Sequence, residues 1–553
     1  MDGATKPKRW NVKVRLAAAA LVFAAATMAP AQPPSAPPRL IVAISVDQFS
    51  ADLFAQYRRH FTGGLGRLSG GAVFPSGYQS HASTTTCAGH ATILTGARPS
   101  RSGIIANDWF DLGMARDDKQ VYCAEDTRVP GSTSSAYTAS PRHLLVPTLG
   151  DLMRRHDPRS RVVAVAGKDR SAMMMGGHDP SERWWWHNTA FIGEAGAAPP
   201  AAVAAINAEV ATAYAVPRGP QPMAPVCEAR RVAVTLPPPA GTVGEGRFER
   251  EGGDRLRFRA SPELDHFTLE LAERLRADMA LGEGPATDLL AISLAATDYV
   301  GHRFGTQGPE MCGQLLALDA MLGAFFERLD AAGIDYVVML TADHGGQDIP
   351  ERANMQGGNG ARADAGLRAR NMGRVIGEQL GLAGPVLFAA GVTGERYIDR
   401  SLPEADRARV LEAAVAAYRA HPQIAAVFTR AEIAAATTPA GPPDAWTPLQ
   451  RVRASWHPQR SGDFYIMLRP DVTPIPTPSL DSIATHSVGT DQDRRVPILF
   501  WRRGMAPFEQ PQAIETVDIM PTLAALIGLP VAPGSIDGRC LDLDAGPAST
   551  CPQ

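Results

Sequence analysis

Six residues with carboxylate or imidazole side chains carry the clearest chemical signal in this sequence. They are Asp47, Asp298, His302, Asp343, His344 and His486. Carboxylates and imidazoles are the groups that bind Zn²⁺ when thiolates are not used. Any one of them alone is ordinary, because an aspartate at a strand end commonly caps a helix and a lone histidine commonly packs in a core. Together they predict a metal site, and at three ligands per catalytic ion they are enough for two ions.

Paired metal ions about 4 Å apart stabilise the attacking and leaving oxygens of a phosphoryl displacement, so the ligand count favours phosphate chemistry. The segment STTTCAGHAT, residues 83–92, offers three hydroxyls nearby. A hydroxyl that bound one metal would lose its proton easily and become a nucleophile at neutral or alkaline pH. Gly89 would allow the backbone to approach a ligand closely, and the following HATILTG predicts a helix whose N-terminus would favour an anion.

Three short apolar runs must position these acids. RLIVAISVD, DLLAISLAATD and IDYVVMLTADH end at Asp47, Asp298 and Asp343, and each is typical of a buried parallel strand. Helical patterns that begin at Ser261 and at Pro309 lie between them. The alternation predicts an α/β fold with a mostly parallel central sheet and helices on both faces. In such sheets ligands bind at the carboxyl ends of the strands, where the acids fall.

We expect one catalytic domain over residues 39–553. Two regions do not follow the alternation, near 180–260 with WWWHN and near 350–480, which is rich in Gly, Arg and Pro. We interpret both as insertions that cap the sheet. ETVDIMPTLAALIGLP predicts a last amphipathic helix closed by Gly528 and Pro530.

The N-terminal segment predicts export. A basic stretch, the apolar run LAAAALVFAAATMA and an Ala-x-Ala site ending at Ala31 are typical of a signal peptide over residues 1–31. A membrane anchor is the alternative, but the run is shorter than the roughly 20 residues that a span needs. Residues 32–38 form a proline-rich leader. We therefore expect a periplasmic or secreted protein with no transmembrane span after cleavage.

Charge and cysteine content narrow the partners and the compartment. With 54 Lys+Arg against 57 Asp+Glu the net charge is -3, so no basic field predicts a nucleic-acid-binding module. Export permits disulfides, and the six cysteines form an even set without a CxxC motif. Sequence proximity favours a Cys540–Cys551 pair. The other four cannot be paired by arithmetic alone, and free buried cysteines are the alternative.

Several motifs together carry a family resemblance. Asp47, TTTCAGHAT, GIIANDWFD, DYVGH, TADHGG, THSVGTDQDRRVPILF and DIMPTLAALIGLP occur in the order and approximate spacing of the alkaline phosphatase superfamily. Within it the sequence resembles the threonine-nucleophile alkaline phosphatases of the PhoK and PafA type, which are related to the nucleotide pyrophosphatase/phosphodiesterases. The resemblance covers nearly all of the mature chain.

The resemblance implies a zinc-dependent phosphatase that hydrolyses small-molecule phosphate monoesters through a phosphothreonine. It assigns the nucleophile to Thr86 and gives Thr84 and Thr85 a supporting role in the turn. The implied ligands are Asp298, His302 and His486 for one Zn²⁺, and Asp47, Asp343, His344 and Thr86 for the other. This set is complete without His90, which we expect to be structural. An additional Ca²⁺ site is left open. Cys87 and Cys123 match a cysteine pair in relatives, which implies a disulfide bracing the nucleophile loop.

The resemblance also implies three substrate-binding residues. Asn107 in GIIANDW would donate its amide NH₂ to a phosphate oxygen. Lys168 and Arg170 match the GKDR motif of the monoesterase branch, which the diesterases lack. Because a monoester carries two negative charges and a diester one, two cations here would favour the monoester.

Three alternatives remain. A phosphodiesterase or nucleotide pyrophosphatase would use the same scaffold. A sulfatase needs Cys or Ser in a C/S-x-P-x-R frame, and CAGHA lacks both the Pro and the Arg. A non-catalytic metal- or phosphate-binding protein would be expected to lack a ligand or the nucleophile, and none is missing. The preferred monoester and the oligomeric state are not predicted.

Overall fold

The computed structural model describes residues 1–4, 36–194, 196 and 198–552. The chain divides into two compact units, Met1–Ala36 and Pro37–Gln553, and the second carries the sheets, the helices and the candidate site. The predicted signal peptide and proline-rich leader lie almost entirely outside the described residues.

Strands in the described part of the chain include both long core strands and two-residue edge pairs. In chain order they are β1 Leu40–Val46, β2 Ala72–Tyr78, β3 Asp108–Phe110, β4 Gln120–Tyr122, β5 Val162–Ala166, β6 Glu182–His187, β7 Ala190–Ile192, β8 Val234–Thr235, β9 Thr242–Val243, β10 Asp288–Leu294, β11 Tyr336–Thr341, β12 Ala361–Arg362, β13 Leu387–Phe388, β14 Gly394–Ile398, β15 Ile424–Thr429, β16 Phe464–Leu468, β17 Val472–Thr473, β18 Arg495–Arg502, β19 Phe508–Glu509 and β20 Ile514–Glu515.

The α-helices of the same ranges vary from single turns to more than six turns. They are α1 Ala51–Tyr57, α2 Gly64–Leu68, α3 Thr86–Thr95, α4 Pro99–Ser102, α5 Leu149–His156, α6 Asp169–Gly176, α7 Ala201–Ala215, α8 Pro225–Glu228, α9 Arg255–Arg259, α10 Pro262–Asp278, α11 Ala296–Phe304, α12 Pro309–Ala331, α13 Pro350–Met355, α14 Ala369–Leu380, α15 Glu404–Ala420, α16 Arg430–Ala435, α17 Pro448–Ser455, α18 Asp491–Arg494 and α19 Ile519–Leu526. In the described part of the chain, none has the length and apolar character that a membrane span requires.

The central sheet has the spatial order β19-β2-β18-β11-β1-β10-β5-β6-β7, and β20 also pairs with β2. The three strands predicted from apolar runs, β11, β1 and β10, are neighbours at its centre and run parallel. Strand β5 continues the parallel set beside β10, while β18 is antiparallel to β11. The predicted fold class is therefore confirmed.

Both faces of the central sheet are covered, which explains why its strands are continuous apolar runs rather than alternating ones. Along β1, Leu40, Val42 and Ile44 pack into a core shared with α10 and α12. Ile41 and Ala43 point to the opposite face and pack into a core shared with α3 and α19. Every residue of β1 is buried.

The tryptophan run belongs to the central sheet and not to a capping insertion. Residues 182–187 form β6, which pairs in parallel with β5. Trp184 and Trp186 enter the same core as α10, whereas Trp185 packs on the other face. Three consecutive aromatic residues show no alternation of apolar and polar side chains, so the sequence pattern did not indicate this strand, which is buried on both faces. The later part of the region near 180–260 forms α7, α8, the β8–β9 pair and α9.

The region near 350–480 builds a second sheet of its own. Its spatial order is β13-β14-β16-β15, with antiparallel pairing throughout. Helices α14 and α15 cover it, and residues such as Ile376, Val410 and Ile466 form a separate core. This region is an addition to the central α/β layer.

Three disulfides join Cys87 to Cys123, Cys227 to Cys312 and Cys540 to Cys551. The first and third confirm the two predicted pairs. The second ties α8 to the first turn of α12. The described residues contain no free cysteine, so the alternative of free buried cysteines is wrong.

Candidate metal centre and active site

All six residues of the predicted ligand set converge at the carboxyl edge of the central sheet. Asp47 follows β1, Asp343 and His344 follow β11, and Asp298 lies in the first turn of α11 just after β10. The ligand atoms of five of these residues form two compact groups, each with atoms within 4.8 Å of one another. These groups are Asp47, Asp343 and His344 on one side, and Asp298, His344 and His486 on the other.

The division into two groups differs from the predicted one. His344 belongs to both groups, and its ring stacks on that of His486 with centroids 3.6 Å apart. His302 lies at the rim of the second group, with Nε2 3.2 Å from Asp298 Oδ1. The sequence could not reveal this sharing because it depends on how the two rings pack.

Four ligand atoms of this set are buried and have no hydrogen-bond partner among the described residues. They are Asp47 Oδ1, Asp298 Oδ1, Asp343 Oδ2 and His344 Nε2. Because buried polar atoms are almost always paired, such a concentration of unpaired ones needs an explanation. Carboxylate oxygens and imidazole nitrogens are the donors that a zinc ion takes in an oxygen- and nitrogen-based site. The residues therefore fit a bound metal.

The histidines present the nitrogen that a metal needs. In His302, His344 and His486, Nδ1 lies 2.7 to 2.8 Å from a backbone carbonyl oxygen. A proton on Nδ1 that donates to this carbonyl leaves the Nε2 lone pair facing the site. Burial lowers the pKa of His344 and of His486, which keeps both imidazoles neutral and able to ligate.

Lys168 connects the two groups. It follows β5, is 3% exposed, and its Nζ lies 2.5 Å from Asp47 Oδ2 and 2.6 Å from Asp298 Oδ2. Each carboxylate thus accepts a hydrogen bond from the lysine through Oδ2, which leaves Oδ1 available to bind a metal. Burial raises the pKa of Asp47 well above its usual value, the nearby carboxylates add to this, and Lys168 opposes it. The resemblance implied that Lys168 contacts phosphate; the structure places it on these carboxylates.

Thr86 is the first residue of α3, and its buried Oγ1 has no hydrogen-bond partner in the described chain. A Cβ at Gly89 would lie 2.0 Å from the carbonyl oxygen of Asp343, so only glycine lets the first turn of α3 approach so closely. His90 Nδ1 lies 2.9 Å from Thr86 O and 3.1 Å from Asp343 Oδ2. His90 therefore holds the threonine turn against the first group.

The same turn is tied to the second group. The carbonyl oxygen of Thr84 lies 2.7 Å from His486 Nδ1. Asp493, which sequence reasoning missed, accepts hydrogen bonds from Val488 N at 2.7 Å and Gly489 N at 3.3 Å, and its Oδ2 is 3.5 Å from Thr84 Oγ1. Thr86 is thus positioned by contacts to both groups of ligands.

The Cys87–Cys123 disulfide braces the other side of the threonine turn. Asn107 Oδ1 accepts a hydrogen bond from Cys87 N, and its backbone carbonyl accepts one from Cys123 N, both at 2.8 Å. With the amide oxygen engaged, the amide NH₂ of Asn107 remains for a ligand. Arg170 lies in α6, where its Nη1 is 3.4 Å from the Tyr122 hydroxyl.

Gln48 is a further residue that sequence reasoning missed. Its φ of 65° is in the left-handed region, which is uncommon outside glycine and is often found at functional sites. In this conformation Gln48 N donates to Asp343 Oδ1 at 3.1 Å. A Cβ at Gly301 or at Gly346 would collide with the Gln48 side chain, at 1.6 and 2.7 Å. The glycines in DYVGH and DHGG were the signal that could have indicated this close packing.

The comparisons with known proteins agree with this geometry. Residues 41–491 match the family model described as type I phosphodiesterase / nucleotide pyrophosphatase, and the chain belongs to this family. Alkaline phosphatase PhoK of Sphingomonas sp is 53% identical over 93% of this chain and 93% of that protein.

Two crystal structures of alkaline phosphatase PafA are similar to this fold. The wild type has a TM-score of 0.78 at 26% identity, covering 91% of this chain and 98% of that one. A mutant in which a threonine, an asparagine, a lysine and an arginine are replaced has a TM-score of 0.77 at 25% identity, with the same coverage. Within its family the chain therefore belongs with the alkaline phosphatases of the PhoK and PafA type.

Proposed function

We propose that this protein is an exported alkaline phosphatase that uses two Zn²⁺ ions and Thr86 to hydrolyse small-molecule phosphate monoesters. The observation that carries the proposal is the set of buried, unpaired ligand atoms gathered around a threonine turn that is tethered to both ligand groups. The similar proteins PhoK and PafA are both named as alkaline phosphatases, which supports the proposed activity. The three disulfides and the N-terminal sequence pattern support a periplasmic or secreted location.

Two zinc ions held by the six carboxylate and imidazole ligands would acidify the nucleophilic hydroxyl and neutralise charge on the leaving oxygen. Thr86 Oγ attacks phosphorus as its proton passes to solvent. The bond from phosphorus to the ester oxygen breaks, and that oxygen takes a proton to leave as an alcohol. Water then attacks the phosphothreonine, which releases inorganic phosphate and restores the hydroxyl. The sum is an ester and water giving an alcohol and phosphate.

Asn107, Lys168 and Arg170 are proposed to bind the oxygens of the transferred group. Lys168 lies against a carboxylate of each ligand group, which supports a role for its charge beside the transferred phosphoryl group. The N-terminus of α3 adds backbone N–H groups that favour an anion. The threonine, asparagine, lysine and arginine replaced in the PafA mutant occur in the same order and with the same spacing within each pair.

A phosphodiesterase or nucleotide pyrophosphatase is the second candidate, because the family model carries that description. The buried Lys168 favours the monoester, since a second cationic contact suits the doubly charged group. Hydrolysis of p-nitrophenyl phosphate and of bis(p-nitrophenyl) phosphate separates the two candidates.

We expect a higher kcat/KM for the monoester, and Lys168→Ala should narrow this preference by about tenfold or more. Lys119→Ala is the matched control, because Lys119 is part-buried in a loop and its ammonium group, among the described residues, donates to the Met114 carbonyl alone. A wild-type enzyme that prefers the bis ester would contradict the proposal.

A further inference from the structure

Three arginines gather beside the metal ligands without a role in the chemistry above. Arg257 and Arg259 lie on α9, and Arg303 lies on α11, the helix that also carries Asp298 and His302. We call these three residues the arginine cluster. Tyr299 and Arg303 are four positions apart, so they share one face of α11.

Tyr299 joins the arginine cluster to the metal centre. Its ring centroid is 5.1 Å from Lys168 Nζ and 4.6 Å from Arg259 Cζ. Lys168 is the residue that bridges Asp47 and Asp298. One aromatic ring therefore separates Arg259 of the cluster from Lys168 at the metal centre.

The cluster is short of negative charge. Arg259 Nη2 is 3.4 Å from Asp481 Oδ2, and Arg257 Nε is 3.8 Å from Asp254 Oδ2. Both contacts are long, and the aspartate side chains are 43% and 31% exposed, so these pairs stabilise little. Within the described ranges, Arg303 has no ion-pair partner.

Arg303 has a further unsatisfied requirement. Its Nε and Nη1 are buried and have no hydrogen-bond partner in the part of the chain that the structure describes. Its Cζ lies 5.5 Å from the centroid of the Phe304 ring. This contact gives Nε and Nη1 no hydrogen-bond acceptor, because their N–H groups point outward in the plane of the guanidinium. By contrast, the buried Arg250 makes two hydrogen bonds to Glu263, at 2.7 and 2.8 Å. An arginine held purely for packing would be expected to resemble Arg250, because unpaired buried donors are costly.

The guanidinium fork matches the geometry of phosphate oxygens, and hydrogen bonds of this charged kind are the stronger ones. Resting on the proposed function, we propose that the arginine cluster binds a second phosphate group on the leaving group. Preferred substrates would then carry two phosphates, as in a nucleoside diphosphate cleaved at its terminal phosphate. Arg303 would be the principal contact, with Arg259 beside it.

The test compares two substrates that differ in the leaving group. ADP releases AMP, which carries a phosphate, whereas p-nitrophenyl phosphate releases a leaving group without one. We expect Arg303→Gln to lower the ratio of kcat/KM for ADP to that for p-nitrophenyl phosphate by about tenfold or more, because at least one charged hydrogen bond is lost. Arg255→Gln is the matched control, since Arg255 is an exposed arginine on α9, the helix of Arg257 and Arg259, and donates to Asn188.

A second variant makes the sign of the effect diagnostic. Asp481→Asn removes the carboxylate that competes for Arg259, so the same ratio should rise. A ratio unchanged in Arg303→Gln, or an equal loss on both substrates, would overturn the inference. Wild-type enzyme that fails to hydrolyse p-nitrophenyl phosphate would instead refute the proposed function, and this inference with it.

Discussion

The carboxyl edge of the central sheet and the N-terminus of α5 both bury aspartates, but they satisfy them differently. Asp151 in α5 accepts four hydrogen bonds, from Thr148 N, His178 N, Asp179 N and His178 Nδ1, at 2.8 to 3.0 Å. Burial alone would raise its pKa, but the hydrogen bonds from His178 and the backbone outweigh it and lower the pKa to about 2. Asp47 is equally buried, yet its pKa is raised and its Oδ1 has no hydrogen-bond partner among the described residues.

The difference indicates what each carboxylate is for. A buried carboxylate whose oxygens are all paired by the protein stabilises the fold by holding a helix end and a loop together. A buried carboxylate with an unpaired oxygen, beside other like charges, is destabilising for the polypeptide alone. Its presence is explained by a ligand that the protein must bind, which here is a metal ion.

The largest effect is expected at Thr86, the proposed nucleophile. Thr86→Ala should lower kcat for p-nitrophenyl phosphate by about 10³-fold or more, because no other hydroxyl replaces the attacking oxygen. Zinc content should stay near that of the wild type, since six other ligands remain. Thr85→Ala is the matched control and should keep most of the activity. Retained turnover in Thr86→Ala would contradict the assignment.

Loss of one unpaired carboxylate should have the next largest effect. Asp47→Asn should reduce bound zinc and lower kcat/KM by about 10²-fold, because a ligand charge is removed from the first group. The metal-free protein should keep its fold, since Lys168 retains Asp298. Asp52→Asn, an exposed aspartate in α1, should leave zinc content unchanged, as measured by elemental analysis. Full zinc occupancy in Asp47→Asn would contradict the assignment of Asp47 as a metal ligand.

Replacing Asp151, whose carboxylate oxygens are paired by the protein, should lower stability and leave zinc binding and activity unchanged. Asp151→Asn should lower the free energy of unfolding by about 1 to 3 kcal/mol, because it weakens the capping box that Asp151 forms with Thr148 and leaves buried donors unpaired. The folded fraction should retain wild-type zinc content and kcat. Urea unfolding followed by far-UV circular dichroism measures the first quantity, and assays in the absence of urea measure the second. A large loss of activity with unchanged stability would be inconsistent with a structural role.

The smallest effect concerns pH. Because the folded pKa of Asp151 is about 2, below the unfolded value of about 3.9, its contribution is present above about pH 4 and is lost as pH falls toward 2. The hydrogen bond to Asp151 raises the pKa of His178, so this contribution is present below about pH 6.5 and is lost as pH rises through the raised value. The difference in the free energy of unfolding between wild type and Asp151→Asn should therefore be greatest near pH 5. There it should exceed the difference at about pH 3 or pH 8 by about 1 to 2 kcal/mol. A difference that is the same at about pH 3, 5 and 8 would exclude this linkage.

Much of the fold was predictable because its determinants are local. The strands before Asp47, Asp298 and Asp343 are uninterrupted apolar runs, and parallel strands bring their carboxyl ends to one edge. The three aspartates that follow these strands therefore lie at one edge of the sheet. Two of the three disulfides were also predicted, one from proximity and one from the resemblance.

The remainder depends on contacts between distant parts of the chain. His344 belongs to both groups because its ring stacks on that of His486. The spacing of residues along the sequence does not indicate this stacking. The contacts of Lys168 with Asp47 and Asp298 depend on the register of β5 beside β10. The strand formed by Trp184 to Trp186 was missed because burial on both faces removes the alternation that marks a strand.

Anomalous diffraction at the zinc absorption edge, on crystals of the purified protein, would show directly whether zinc ions occupy the two ligand groups. We expect two peaks at the carboxyl edge of the sheet. One should lie among Asp47, Asp343 and His344, and the other among Asp298, His344 and His486, with His302 at its rim. If zinc-replete, active crystals showed no peak beside Asp47 Oδ1 and Asp298 Oδ1, the assignment of these residues to a zinc site would be contradicted.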